Sequence, residues 1–85
     1  MNKEQQRILE LAKEVSQTEG MSKNVKRAAD MVLKSGDPEW NYEFALNVKG
    51  ADIAEHEKVI INSGDQKYIN LLKSHILIED NEQKQ

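Results

Sequence analysis

Apolar residues recur along this chain with the period of amphipathic helices. Ile8, Leu11, Ala12 and Val15 follow the i, i+3, i+4, i+7 template of an amphipathic helix, which predicts a first helix over about residues 3–17. The same period predicts four further helices, over about residues 23–34, 38–48, 53–62 and 66–78. The pattern therefore indicates an all-α protein of five short helices.

Residues that start and stop helices fall between these segments. Asp37 followed by Pro38 is a start signal, because aspartate accepts hydrogen bonds from first-turn amides and proline at the first position loses none. Asp52 starts the next helix in the same way. Gly50 stands just after the third helix, where a left-handed residue is a common stop. Tight corners are therefore expected between the helices.

Two stretches of the chain repeat. The tripeptide Ser-Gly-Asp at 35–37 recurs at 63–65, a spacing of 28 residues, and Trp40 aligns with Tyr68. A fixed period of this length is typical of stacked two-helix units, which predicts about two and a half α-α repeats in one solenoid-like domain spanning 1–85. The predicted parts are a degenerate first helix and its connection (1–22), repeat 1 (23–48), repeat 2 with a cap (51–78) and a disordered tail (79–85).

The second and fourth predicted helices each contain three consecutive apolar residues, at 31–33 and at 59–61. Adjacent side chains on a helix are turned by about 100°, so three of them in a row cover a wide arc. A helix covered on one side only would not need such an arc. Both helices are therefore predicted to be sandwiched between neighbours.

The charge balance narrows the classes of partner. The 85 residues include 12 basic and 15 acidic side chains, and the net charge of −3 argues against a dedicated duplex-DNA binder. The chain has no cysteine for a disulfide or thiolate site, and no apolar run approaches the ~18 residues of a membrane span. We expect a cytoplasmic protein without a membrane partner.

The stretch SGDPEWNYEFALNVKGADI at 35–53, followed by EKVII at 57–61, resembles a short α-helical tandem repeat of uncharacterised bacterial and bacteriophage proteins. The similarity is close over 35–68 and loose before residue 24. The second copy departs from the pattern at several positions, Gln66 replacing the proline, which suits a terminal capping repeat. The resemblance implies a helical repeat fold and a phage or prophage origin, hence the host cytoplasm, and it transfers no catalytic residue.

Candidate catalytic and metal-binding chemistry is sparse. His56-Glu57 begins like the helix of a zinc protease, but Ile60 stands where the second histidine should be. His56 is interpreted as a histidine at the boundary of an apolar face, and His75 as solvent-facing. No nucleophile elbow or phosphate-binding loop occurs, and the serines fall at helix ends. The sequence therefore predicts no enzyme, no metal and no cofactor.

The remaining candidates are contact residues. Tyr42 lies opposite Trp40 on the third helix; it either packs against the adjacent helix or marks an exposed ridge with Asn41, Asn47 and Lys49. Lys26 and Arg27, with Lys23 and Lys34, give the second helix a basic face, which is either solvated or meets phosphate or an acidic partner. Leu77 and Ile78 either form a homodimer contact or fold back as a cap.

These patterns together favour a non-catalytic protein–protein interaction module, and in its sharper form a phage-encoded regulator or inhibitor of a host protein. Helical stacks form extended rigid surfaces and seldom form catalytic pockets. Two alternatives stay open. One is a nucleic-acid-associated regulator that uses the basic face of the second helix, and the other is a structural unit that assembles with itself through Leu77 and Ile78.

Overall fold

The structure, a computed structural model, describes the backbone of residues 1–84 and the side chains of residues 1–75. This part of the chain contains five helices and no strand. They are α1 (Lys3–Glu19), α2 (Lys23–Ser35), α3 (Pro38–Asn47), α4 (Ile53–Ser63) and α5 (Gln66–Lys84). The all-α prediction is confirmed. The helices begin where the sequence predicts, but α5 continues to Lys84 and does not end at Leu77 or Ile78. The predicted disorder of 79–85 stays a prediction.

Aspartate caps account for the starts of the central helices. The Asp37 Oδ1 atom accepts a hydrogen bond from the Trp40 amide at 3.2 Å, and Asp52 does the same for Glu55 at 3.2 Å. These bonds satisfy first-turn amides that have no partner within their own helix. The start signals at residues 37 and 52 are therefore confirmed, and they act through local geometry.

The corners between α2 and α3 and between α4 and α5 have the same geometry. Ser35 Oγ donates to the Val32 carbonyl at 2.6 Å and accepts from the Asp37 amide at 3.1 Å. Ser63 makes the equivalent two hydrogen bonds at 2.6 and 3.1 Å. The glycine after each serine is left-handed, with φ of 69° and 75°. The recurring Ser-Gly-Asp tripeptide therefore encodes one turn used twice.

Helix α3 is the centre of the domain, since within the described chain it packs against each of the other four helices. Its Phe44 side chain is fully buried, with Trp40 and Val48 beside it in the core. Helix α1 contacts α2 and α3 but neither α4 nor α5 among the described residues. One side of the α1–α2 pair therefore lies at the edge of the fold.

Gly50 provides a test of the α3–α4 corner. Its φ is 85°, and a Cβ atom placed there would lie 2.9 Å from the Met21 Cγ atom. Gly50→Ala is expected to lower the free energy of unfolding by about 1–2 kcal/mol, because a left-handed conformation strains any residue with a Cβ. Urea unfolding would measure this. Gly64→Ala, at φ 75° with no atom within 4 Å of the new methyl, is the control for the backbone effect alone. A neutral Gly50→Ala would contradict the left-handed corner.

Candidate interaction surfaces

An open apolar groove lies between α1 and α2. Its volume is about 430 Å³, and its walls include three residues from each helix. Ile8, Leu11 and Val15 come from α1, and Arg27, Ala28 and Met31 come from α2. Five of these six side chains are apolar, and the sixth is Arg27. The groove therefore has an uncharged floor with one cation at its side. We call it the α1/α2 groove.

Small residues open this groove. Helices α1 and α2 are joined by only three residues, Gly20 to Ser22, and therefore run antiparallel against each other. Ala12 and Ala28 lie between them on the groove side, and an alanine side chain ends at Cβ. The larger Leu11 and Met31 stand at the margins and do not fill the space. The groove is thus a gap in side-chain volume between two closely packed backbones.

The margins of the groove are more exposed than the apolar pattern predicts. Leu11 keeps 55% of its surface exposed and Met31 keeps 49%. Leu11 belongs to the apolar pattern of the first helix and is nevertheless exposed, because no helix of the described chain covers that side of α1. Ile61 of α4 is 51% exposed as well. The runs at 31–33 and 59–61 are consequently not enclosed on all sides, as a sandwiched position would require.

A polar cleft lies on the other side of α2, facing α4. It has a volume of about 230 Å³, and the residues that line it include Lys26, Asp30, Asp52, Glu55 and His56. Lys26 therefore stands among three carboxylates, while its neighbour Arg27 lines the α1/α2 groove. The basic face predicted for α2 is divided between two surfaces of opposite character. That division weakens the case for a continuous phosphate-binding face.

His56 and Asn41 form a buried polar pair behind this cleft. Both side chains are almost fully buried, and 2.8 Å separates His56 Nδ1 from Asn41 Oδ1. Asn41 Nδ2 donates to the carbonyls of Val32 (2.9 Å) and Asp37 (2.8 Å). Because the amide uses both its N–H groups there, Oδ1 is the acceptor and His56 carries its proton on Nδ1. The pair connects α2, α3 and α4.

This pair corrects several predictions about polar residues. His56 is buried and hydrogen-bonded within the core, not at the boundary of an apolar face. Asn41, a member of the exposed ridge in one of the two interpretations of α3, is fully buried. His75, predicted to face solvent, is half-buried. Asn41 and His56 each have a partner from a distant part of the chain that the helical period does not reveal.

His56 makes the stability of the fold depend on pH. Burial lowers the pKa of His56 below its ordinary value of 6.5, and the charge of Asp52 opposes this shift. Between the two pKa values the unfolded chain binds a proton that the folded chain does not, so the free energy of unfolding falls as the pH drops below about 6.5. It levels off once the pH is below the folded-state pKa.

Urea unfolding at about pH 7.5 and about pH 5.5 would measure this loss, because the interval brackets the titration of an unfolded histidine. His56→Asn is the control, since asparagine keeps a donor for Asn41 but does not titrate. We expect the pH dependence to be smaller in this variant. An equal dependence in both proteins would show that His56 is not the cause of the effect.

The contact residues that the sequence suggests have different surroundings in the structure. Tyr42 is half-buried, and its ring centroid lies 5.6 Å from that of Tyr68 on α5. Asn47 Nδ2 donates within α3, to the carbonyl and carboxylate of Glu43 at 2.8 and 3.1 Å. The Lys49 side chain is exposed, and its backbone amide donates to Ser16 Oγ at 3.0 Å. Each of these residues therefore has its own set of contacts, and a shared binding surface stays a prediction.

Leu77 and Ile78 lie outside the residues whose side chains are described. Among the predicted contact residues whose side chains are described, Arg27 alone lines the α1/α2 groove. The groove itself was missed, although its signal is present in the sequence. Two amphipathic helices joined by a short connection carry alanine on their facing sides, at positions 12 and 28, so their facing surfaces do not fill the space between them.

Within the described chain, no group of three or more histidine, cysteine, aspartate or glutamate side chains could hold a metal ion. No helix described here is both long enough and apolar enough to cross a membrane. Comparisons of the chain with protein-family models, curated proteins and solved structures found no match. The α1/α2 groove and the polar cleft are thus the observations that bear on function.

Proposed function

We propose that this chain is a non-catalytic protein–protein interaction module that binds a helical segment of another protein in the α1/α2 groove. The observation that carries this proposal is the exposed apolar floor between Leu11 and Met31, which are 55% and 49% exposed. Large side chains at such exposure leave apolar surface in water, and its burial by a partner is favourable. A regulator or inhibitor of a host protein would be one example of such a module.

The size of the groove suits a helix. The lining residues of α1 span Ile8 to Val15, and those of α2 span Asn24 to Met31. Each span corresponds to about 10 Å of helix axis, or two turns. An amphipathic helix presents apolar anchors at i, i+3 or i+4, and i+7 over the same distance. Three anchors of a partner helix would therefore occupy the groove from end to end.

The two identical corners support the finer interpretation as α-α repeats. In it, α2–α3 and α4–α5 are successive units, and α1 is a half-unit at one end. Within the described chain α1 packs against α2 and α3 alone, and no helix covers its outer face. That face is available to a partner, and α1 supplies one wall of the α1/α2 groove.

Neutral polar substitutions in the groove are expected to weaken partner binding by at least about tenfold, as for a central interface anchor. Leu11→Gln and Met31→Gln remove apolar contacts, add no charge and keep good helix propensity. Ala28→Leu tests the same site differently, because it fills the gap. Ile61→Gln is the matched control, at an apolar residue of similar exposure (51%) on α4.

The measurement is an affinity purification from a lysate of the source organism, washed at two salt concentrations and quantified by mass spectrometry. We expect a stoichiometric protein that the wild type and Ile61→Gln retain and that Leu11→Gln and Ala28→Leu lose. A protein that all four retain would place its binding outside the groove. Nucleic acid that is lost at high salt, and also in Lys26→Glu, would favour the nucleic-acid alternative.

A further inference from the structure

We propose that the helix bound in the α1/α2 groove carries an acidic flank, which lies over a basic edge of α2. This inference rests on the proposed function and names the chemistry of the partner. The basic edge consists of Lys23, Arg27 and Lys34, all of them exposed. Because they are spaced by four and seven residues, their side chains form one stripe along the helix.

The position of this stripe follows from Arg27. Arg27 lines the α1/α2 groove, whereas Lys26 and Asp30 line the polar cleft on the other side of α2. Lys23 and Lys34 share the stripe of Arg27, which borders the groove. Asp30, the only acidic residue of α2, lines the polar cleft and stands one helical turn from Arg27 and from Lys34. Within the described residues it forms no ion pair with any of the three cations, so their charges stay available to a partner.

The two walls of the groove differ in charge. Helix α2 has four basic residues and one acidic residue, a net charge of +3, although the whole chain carries −3. Helix α1 has three basic and four acidic residues, a net charge of −1. Within the described residues, none of the three cations of the basic edge takes part in an ion pair. An occupant with one acidic flank would consequently be favoured in the orientation that places this flank on α2.

Charges at the rim of an interface act mainly on selectivity and on the rate of association. Solvent-exposed pairs are individually weak and screened by salt, while complementary edges steer encounter and disfavour the wrong partner. The apolar floor would thus supply most of the affinity, and the basic edge would select the acidic helix. We expect reversal of all three charges to change the preference between acidic and basic helices by roughly ten- to a hundredfold.

A displayed peptide library tests this directly. The library holds helical peptides of about 18 residues, long enough to be partly helical alone, with three leucine anchors at i, i+4 and i+7. Positions on both flanks of the anchors are randomised among glutamate, glutamine and lysine. Selection on the wild type is expected to enrich glutamate on one flank. Selection on the triple variant Lys23→Glu/Arg27→Glu/Lys34→Glu is expected to enrich lysine there, whereas Lys26→Glu leaves the glutamate preference in place.

The outcomes separate the inference from the function it rests on. Binders that Leu11→Gln loses but that show no charge preference, or a basic flank, would overturn the acidic partner and leave groove binding intact. A library with no member that distinguishes the wild type from Leu11→Gln and Ala28→Leu would overturn both. A concentration-dependent dimer of the wild type in sedimentation, abolished by Leu11→Gln, would show that a second copy of this chain is the occupant and would overturn the inference.

Discussion

Phe44→Ala is expected to lower the free energy of unfolding by about 3–5 kcal/mol, the range for truncating a buried phenylalanine. Phe44 is fully buried on α3, the helix that packs against all the others in the described chain. Its ring also lies 5.1 Å from that of His56 on α4. The substitution removes contacts between several helices at once. Because small domains often have only about 5 kcal/mol of stability, this variant should be largely unfolded near body temperature.

Thermal unfolding followed by circular dichroism measures this effect. Leu46→Ala is the control, because Leu46 lies two residues away on the same helix and its side chain is exposed. That variant should change the free energy of unfolding by no more than about 0.5 kcal/mol. If both variants lost the same amount of unfolding free energy, the central position of α3 would be contradicted. Such a result would mean that Phe44 is no more buried than Leu46.

Asn41→Leu is expected to destabilise the fold by about 2–4 kcal/mol, although the two side chains have similar volume. The substitution removes the acceptor of His56, whose Nδ1–H group is then buried without a partner. The two backbone carbonyls that accept from Asn41 lose less, because each keeps another hydrogen-bond donor. Val32 O keeps the Ser35 hydroxyl, and Asp37 O keeps the backbone amide of residue 41. The loss of stability therefore comes mainly from the buried N–H group of His56.

A double-mutant cycle isolates this cause. His56→Leu removes the orphaned donor, so the double variant Asn41→Leu/His56→Leu should be more stable than the sum of the single losses predicts, by about 1–2 kcal/mol. Urea unfolding of the four proteins at about pH 7.5 provides the values, at a pH where His56 is neutral. Additive losses would mean that the two side chains do not depend on each other, against the 2.8 Å hydrogen bond between them.

The helix starts were predictable because their causes are local. Asp37 and Asp52 each cap an amide three residues ahead, and a cap needs no distant partner. The two Ser-Gly-Asp corners were predictable for the same reason: every hydrogen bond that forms them joins residues close in sequence. Such features follow from the order of residues whatever the rest of the chain does.

The candidate site was much less predictable. Leu11 has the periodicity of a core residue and lies at the margin of the α1/α2 groove, because burial requires a neighbour and no helix packs on that side. Conversely, the polarity of Asn41 suggests exposure, and it is buried because carbonyls and a histidine from three segments satisfy it. Periodicity shows which residues share a face of a helix, not what covers that face.

By itself the sequence determined five helices, their starting points and the turn used at two corners. The tertiary structure alone decided which apolar face stays open, which polar groups are buried together and how the cations of α2 divide between two surfaces. The physical reason is the distance along the chain over which each kind of interaction acts. Helical hydrogen bonds, caps and tight turns act over about four residues, and the sequence displays them directly. Burial and electrostatic surroundings depend on residues brought together from distant positions, such as Asn41 and His56, and only the packing of the helices establishes them.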